Sequence, residues 1–455
     1  MKNFDLSQLL KNSSSIPFKQ QIKFVLQLSV PGMLAQISSI LMQYIDAAMV
    51  GAMGAQASAA IGLVASSTWV IGSLAHAMCV GFYVQVAHLV GAGEKEKAKN
   101  VFFQSIIVCL FYSLVLAGIS FSICFELPKW LGAPENLAHD SSMYFLVFGL
   151  STPFFEIVYL MSGMLQSTGN MKFPAAMNAV MCLLDIAFNW LFIFVLKLGV
   201  KGAAFGSAAA AFVTALIMLI YTLFFSGYLN LRNFKNFSMS RNCVFKAIKI
   251  AAPVGLESSA FSGALVIVAK IIAPLGAVAI AANSFATTAE SLCYMPGYGV
   301  QEAASTLVGQ SYGAKRNDLS KSFSAITITA GILIMSLAGV AMYFLCPVVF
   351  RFLTPDKEIQ NLSAKILRIE LFAEPLFAAS IVSTGILRGK GDTLIPSILN
   401  LFSLWIVRLG LSILLVKPFG LPGIWFAMAI ELCFRGIIML FRVFFSMNKK
   451  ITPRK

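Results

Sequence analysis

Charge is what this chain has least of. Only 12% of its 455 residues are Asp, Glu, Lys or Arg, about half the share of an ordinary soluble domain, and no polar stretch is long enough to carry a separate binding domain outside a membrane. Histidine is nearly absent, with His76, His88 and His139 scattered, and each reads as a satisfied or solvated side chain. Eight cysteines lie singly at 79, 109, 124, 182, 243, 293, 346 and 433, without CxxC spacing or a Cys/His cluster. A disulfide framework or zinc ribbon is not written here, and the cysteines read as packing residues. No HExxH occurs, so the expectation is a chain that is not an enzyme and holds no metal or cofactor.

What fills the chain instead is apolar: 58% hydrophobic residues and a mean hydropathy of +0.82. A soluble fold cannot hide that much apolar surface. Twelve windows of roughly 20 apolar residues follow one another, at about 24–50, 56–90, 101–125, 141–165, 175–196, 202–226, 247–272, 278–308, 322–346, 363–387, 395–416 and 423–446. The expected fold is an all-α polytopic membrane protein of twelve transmembrane helices.

The net charge of +15 would suit nucleic acid, but its placement argues for a bilayer. Lys2, Lys11, Lys19 and Lys23 precede the first window; Lys95, Lys97 and Lys99 follow the second; Arg232, Lys235, Arg241 and Lys246 lie between the sixth and seventh. Lys315, Arg316 and Lys321 follow the eighth, Arg388 and Lys390 the tenth, and Lys449, Lys450, Arg454 and Lys455 the last. With twelve spans all of these fall on one side, which the positive-inside rule makes cytoplasmic, both termini included. The partner implied is membrane lipid, not nucleic acid, and the expected location is a plasma or bacterial inner membrane. The first 23 residues are too polar for a signal peptide.

The chain is also written twice. Pro31 and Pro253, Pro153 and Pro375, Pro174 and Pro396, and Asn178 and Asn400 are each 222 residues apart, and "MVGAMGAQASAAIG" answers to "IIAPLGAVAIAANS" at the same offset. Six spans per copy is an even number, so both copies enter from the same side and are related by an axis along the membrane normal. The division expected is a cytoplasmic segment 1–23, an N-terminal six-helix lobe 24–226, a linker 227–246, a C-terminal six-helix lobe 247–446 and a basic tail 447–455. Two pseudosymmetric bundles with a central cleft make a transporter's architecture, acting as a monomer. With 39 Phe and 20 Met, an apolar cleft for weakly specified amphipathic cargo is expected.

Polar stripes interrupt the spans. Gln36, Ser39, Gln43 and Asp46 share one helical face, as do Asn178, Cys182, Asp185 and Asn189, and again Asn283, Thr287, Glu290 and Tyr294. Such faces turn toward protein or water, never lipid. The functional reading makes Asp46 and Asp185 the groups that load and release a coupling ion, with Glu257 and the remaining stripe residues other than Cys182 lining the cavity. The plain alternative is interhelical glue, with Lys270 or Arg408 as charge partners of Glu257, Glu290 or Glu374 and with Glu431 paired to Arg435 four residues on.

These residues together resemble the multidrug and toxic compound extrusion (MATE) family, within the MOP flippase superfamily. "YIDAAMVGAMGAQASAAIG" is similar to the family's first-helix signature, with Asp46 as its acid; "ASTLVGQSYGAKR" and "GILRGKGDTLIP" resemble second-half loop signatures, and "WIVRLGLSILL" the eleventh-helix Arg. The resemblance spans essentially the whole chain. It implies two six-helix lobes and export of cationic or amphipathic compounds in exchange for protons or sodium ions. Departures are visible: "DIAFN" places Asp185 before Asn189 where a DinF-like pattern has Asn first, and Phe377 stands where NorM-like members carry a tenth-helix acid. Glu257 follows Pro253 by four residues and not eight. Coupling is therefore expected in the N-terminal lobe. The rival within the superfamily is a flippase of lipid-linked precursors, which needs a cationic central cleft.

Overall fold

A computed structural model describes residues 16–232 and 237–448. The expected segment 1–23, the linker 227–246 and the tail 447–455 lie partly outside the described residues. Lys2, Lys11, Lys235, Lys449, Lys450, Arg454 and Lys455 lie wholly outside them. Among the described residues all regular structure is helical. The long helices are α1 Phe18–Gly51, α2 Ala55–Ala92, α3 Lys95–Ile123, α4 Glu135–Ser167, α5 Lys172–Val195 and α6 Val200–Phe225. They continue as α7 Arg241–Leu275, α8 Ala277–Gly313 and α9 Asn317–Leu353, then α10 in two pieces, Lys357–Glu370 and Glu374–Gly389, then α11 Leu394–Phe419 and α12 Leu421–Asn448. Ten of the described helices are long and apolar enough to cross a membrane. The other two spans are α8, 37 residues long but holding Glu290 and Glu302, and the broken α10. The chain is a multi-pass membrane protein of twelve helical spans.

Each apolar window overlies one helix, and the tenth overlies both pieces of α10. The break was not anticipated. Pro375 sits at the second position of the second piece, where its ring removes an N–H and biases the residue before it away from helix. The chain turns through Leu371–Ala373, the Ala373 amide donating to the Glu370 carbonyl at 2.6 Å. Pro153, its counterpart, is absorbed inside a continuous α4.

The duplication is legible in the backbone. Gly54 caps α2 at φ 109°, ψ 171°, and Gly276, 222 residues on, caps α8 at φ 95°, ψ 172°. Gly199 before α6 has φ 62°, ψ −138°; Gly420 before α12 has φ 62°, ψ −140°. Only glycine enters such conformations without strain; the fold repeat matches the 222-residue offset at Gly54 and Gly276 and is one residue short of it at Gly199 and Gly420.

Contacts divide the chain into a unit of Ser38–Ser258 and a unit formed by the described residues up to Ile37 together with those from Ser259 onward. The boundaries fall inside α1 and α7, the helices that open each repeat. In the first unit the start of α7 packs on α2: Gln85 Nε2 donates to the Cys243 carbonyl at 3.2 Å, and a side chain at Gly81 would collide with the Ala247 backbone. In the second unit the start of α1 packs on α8, where a Cβ on Gly32 would lie 2.8 Å from the Gly299 carbonyl oxygen. Each opening helix thus belongs to both units, half to each. The outer faces stay apolar, as with Phe111, Leu114 and Phe121 on α3 and Leu337, Val340 and Phe344 on α9, all exposed, a surface that lipid covers.

Candidate functional site

Asp46 lies five residues before the end of α1 and is half-buried. Facing it on α5 are Asp185, with no exposed surface, and Asn189, at 2%. Asn189 is the last residue before a π-helical segment, Trp190–Val195, the kind of widened turn that recurs at functional sites. Its Nδ2 donates to Asp46 Oδ1 at 2.9 Å and to Asp185 Oδ2 at 3.0 Å. One amide nitrogen therefore spends both hydrogens on two carboxyl groups. Asp185 Oδ1 and Asn189 Oδ1 are buried with no hydrogen-bond partner, so the site is left rich in acceptors. Gly206 on α6 makes the space: a Cβ there would overlap Asn189 Oδ1. Tyr144 on α4 lies within the field of both acids and joins Met49, Val50, Met53, Ile61, Ile193 and Ala203 in an apolar cap beside them. The reversed order of Asp185 and Asn189 costs nothing in geometry, since residues four apart share a helix face.

Two ionised carboxylates on one amide repel each other in apolar surroundings, and one proton or one small cation between them removes the repulsion. That is the chemistry this arrangement can do.

The C-terminal half holds a different cluster. Glu290 on α8, Glu370 and Glu374 on either side of the α10 break and Glu431 on α12 are buried, the last three with no exposed surface. Against them stand Arg408, the end of the π-helical segment Ser403–Arg408 in α11, and Arg435 on α12. Arg435 Nε pairs with Glu431 Oε1 at 3.1 Å, and the Ser403 hydroxyl donates to the same oxygen at 2.7 Å. Arg408 lies in the field of Glu431, Glu290 and Glu370, with one NH2 group 2.7 Å from the Met428 sulfur. Both oxygens of Glu370 and of Glu374 lack hydrogen-bond partners. Four carboxyl groups face two guanidinium groups, so two negative charges are left over if every acid is ionised. At Phe377, where an acid was sought, the ring instead lies under the Arg435 guanidinium at 5.4 Å; Glu374, one turn earlier on the same helix, brings the acid.

The remaining expected residues are dispersed. Gln36 Nε2 donates to Glu302 on α8 at 3.0 Å; Ser39 is half-buried and Gln43 exposed. Asn178, two turns before Asp185, and Glu257 on α7 are half-buried. Asn283 accepts from Trp425 Nε1 at 3.1 Å, Thr287 donates back to the Asn283 carbonyl at 2.6 Å, and Tyr294 meets Phe377 edge-on at 5.6 Å. Lys270 is exposed, and the cations facing Glu290 are Arg408 and Arg435. Sequence reasoning missed Glu156, 1% exposed in α4, and Glu370. A lone acid within the apolar run "STPFFEIVYLM" is the signal that picked out Asp46, and it marks Glu156 equally well. Sequence reading also passed over the run Gly389-Lys390-Gly391-Asp392, which has the GxGD spacing of a paired-aspartate intramembrane enzyme; Asp392 there is ion-paired with Arg442.

The MatE family model matches residues 31–191 and again 253–414, two copies whose starts are the prolines that first revealed the repeat. A probable multidrug resistance protein NorM of Thermotoga maritima is 26% identical over 437 residues, covering 94% of this chain and 92% of that protein. The multidrug resistance protein NorM of Vibrio vulnificus is 22% identical over 427 residues, covering 91% and 93%. Among solved structures, a MOP superfamily transporter from Pyrococcus furiosus superposes with a TM-score of 0.89 at 22% identity, covering 97% of this chain and 98% of that one. The Vibrio cholerae MATE transporter VcmN does so with a TM-score of 0.90 at 17% identity, covering 95% and 99%. At such identities the structural likeness speaks for the fold.

Proposed function

The chain belongs to the MatE family, and on that footing we propose that it is a multidrug efflux transporter: a secondary antiporter of the cell membrane, termini cytoplasmic. It exports cationic or amphipathic compounds in exchange for protons or sodium ions by alternating access. The observation that carries the coupling site is the Asn189 amide held between Asp46 and Asp185 at 2.9 and 3.0 Å. Asp46, half-buried, receives the ion; Asp185, with no exposed surface, shares it; Asn189 keeps the two carboxyl groups in register. Occupancy acts on α1, whose first half packs in the other unit, so a charge change at Asp46 bears on a helix common to both. The lipid-precursor flippase reading is less well supported, because the buried C-terminal cluster has more carboxyl than guanidinium groups and does not suit a pyrophosphate.

The test is export of a fluorescent amphipathic cation from vesicles reconstituted with the purified protein, the proton and sodium gradients being imposed one at a time. Export driven by either gradient, and lost in Asp46→Asn, supports the reading. Export indifferent to both gradients refutes it.

A further inference from the structure

We propose that Cys79, Cys109 and Glu156 form a binding site for a soft divalent metal cation, such as zinc or cadmium, between α2, α3 and α4. The three are 30 and 47 residues apart in sequence, which is why no metal-ligand spacing announces them. The fold gathers them: Cys79 Sγ, Cys109 Sγ and a Glu156 carboxyl oxygen all lie within 4.8 Å of one another, and Cys79 Sγ is 4.0 Å from Glu156 Oε1. With metal–sulfur bonds near 2.3 Å and metal–oxygen bonds of 2.0–2.2 Å, a trigonal centre needs sulfur and oxygen roughly 3.8 Å apart. Cys79 and Glu156 stand at nearly that spacing, 4.0 Å, and no pair of the three is more than 4.8 Å apart.

Burial and chemistry point the same way. Cys79 has no exposed surface, and Cys109 and Glu156 have 1% each. Glu156 Oε2 is buried with no hydrogen-bond partner, and an unpaired acid deep in a membrane protein needs a counter-charge or a proton. The plain reading makes the cysteines packing thiols. Cys79 Sγ does lie 3.5 Å from the Ala75 carbonyl and 3.7 Å from the Glu156 carbonyl, but its single hydrogen cannot serve both of these and the carboxylate too. A divalent ion held by any two ionised members of the trio is electrically neutral with its ligands. The surroundings are soft as well: Met78, Met161, Met164, Met181 and Met218 belong to the same buried cluster as the two cysteines, and sulfur-rich surroundings favour thiophilic ions over magnesium or calcium. Filled, the site would pin three helices together, apart from Asp46 and Asp185.

The experiment uses the full chain in detergent, reduced and stripped with a chelator, then titrated with cadmium chloride. Thiolate-to-cadmium charge transfer in the near ultraviolet and the melting temperature are both followed. One cadmium ion per chain, with a rise in melting temperature, is the expected result. Cys79→Ser and Cys109→Ser should each weaken binding at least about tenfold, since loss of even an outer-shell partner costs about 10–100-fold; Glu156→Gln should weaken it less. Cys124→Ser and Cys346→Ser should leave the titration unchanged. No charge transfer in the reduced wild type overturns the proposal, as does a band that persists when Cys79 and Cys109 are both Ser. A Cys79–Cys109 disulfide found in air-oxidised protein that binds no cadmium once reduced would make the pair a redox couple instead. Should the Ser variants fail to fold, an unchanged affinity in the isosteric Glu156→Gln removes the carboxylate from the site.

Discussion

The two halves of this transporter share a backbone and differ in their buried charge. In the N-terminal half two carboxyl groups share one amide; in the C-terminal half four carboxyl groups share two guanidinium groups, one in a direct pair. The repeat offset of 222 carries Asp46 onto Val268 and Asp185 onto Val407, and carries Glu290 back onto Thr68. Glycines at helix starts kept similar conformations across the duplication while none of these acids kept an acidic counterpart. Backbone geometry is held by many packing contacts at once, whereas a buried acid is tolerated only where a specific partner meets it. Among the described residues the N-terminal pair meets no charged partner, whereas in the C-terminal cluster guanidinium groups balance two of the four carboxyl groups.

The sharpest way to break this comparison is to neutralise acids one at a time in each half. Asp46→Asn and Asp185→Asn should each abolish gradient-driven export, while melting temperature holds or rises, because an uncharged isostere removes a desolvation cost. Glu290→Gln and Glu374→Gln should retain a measurable fraction of export in the same vesicle assay. Equal loss in both halves would remove the distinction drawn here.

That distinction was only partly legible in the sequence. Hydropathy located all twelve spans, because a run of 20 apolar residues has few other uses, and the 222-residue offset gave the duplication. Asp46, Asp185 and Asn189 were found because each stripe lies on one helix. Glu370 escaped because the break after it depends on how Pro375 is accommodated, and Pro153 shows that the same residue need not break a helix. The membership of α1 and α7 in two units also leaves no periodic trace. Neither does the convergence of Cys79, Cys109 and Glu156, since a contact between three helices is set by packing and not by spacing along any one of them.

A smaller effect is expected from the support behind the acids. Gly206→Ala would place a methyl group on the Asn189 amide oxygen; overpacking of this kind costs about 1–3 kcal/mol, enough to dislodge the amide from one of its two acids. Export should fall by about tenfold for each 1.4 kcal/mol lost, with the inserted protein still folded, and Gly206→Ser should be no better. Unchanged export in Gly206→Ala would mean that Asn189 does not need its observed position. In the other half the expectation is structural: Arg435→Met strands Glu431 and should lower the melting temperature markedly, since breaking a buried pair costs about 3–5 kcal/mol. Adding Glu431→Leu should restore much of that loss, because the stranded charge goes with it.

The smallest effect separates two loops. Gly169 and Gly391 occupy equivalent turns with φ of 90° and 78°, but Thr168 precedes the first and Lys390 the second. Thr168 merely bonds back to the Leu165 carbonyl at 2.7 Å. Lys390 Nζ reaches α12, donating to the Ser446 carbonyl at 2.7 Å and the Ser446 hydroxyl at 2.9 Å. Burial brings its ammonium down to about 8; Asp392 opposes the shift, and Arg442 and Lys321 add to it. An unfolded chain keeps that proton to about pH 10.4. Between these values the unfolded state binds more protons than the folded one, so stability rises with pH; below about 8 both forms are protonated and the contribution is flat. Melting temperatures of the wild type and of Lys390→Met, followed from pH 7 to about 10.5, should therefore shift relative to each other in favour of the wild type only above about pH 8. A Thr168→Val variant gives the control, with no such trend. A wild-type advantage that stays constant across the window, or shrinks, would mean that Lys390 is solvated like any surface lysine and that the two loops differ in sequence alone.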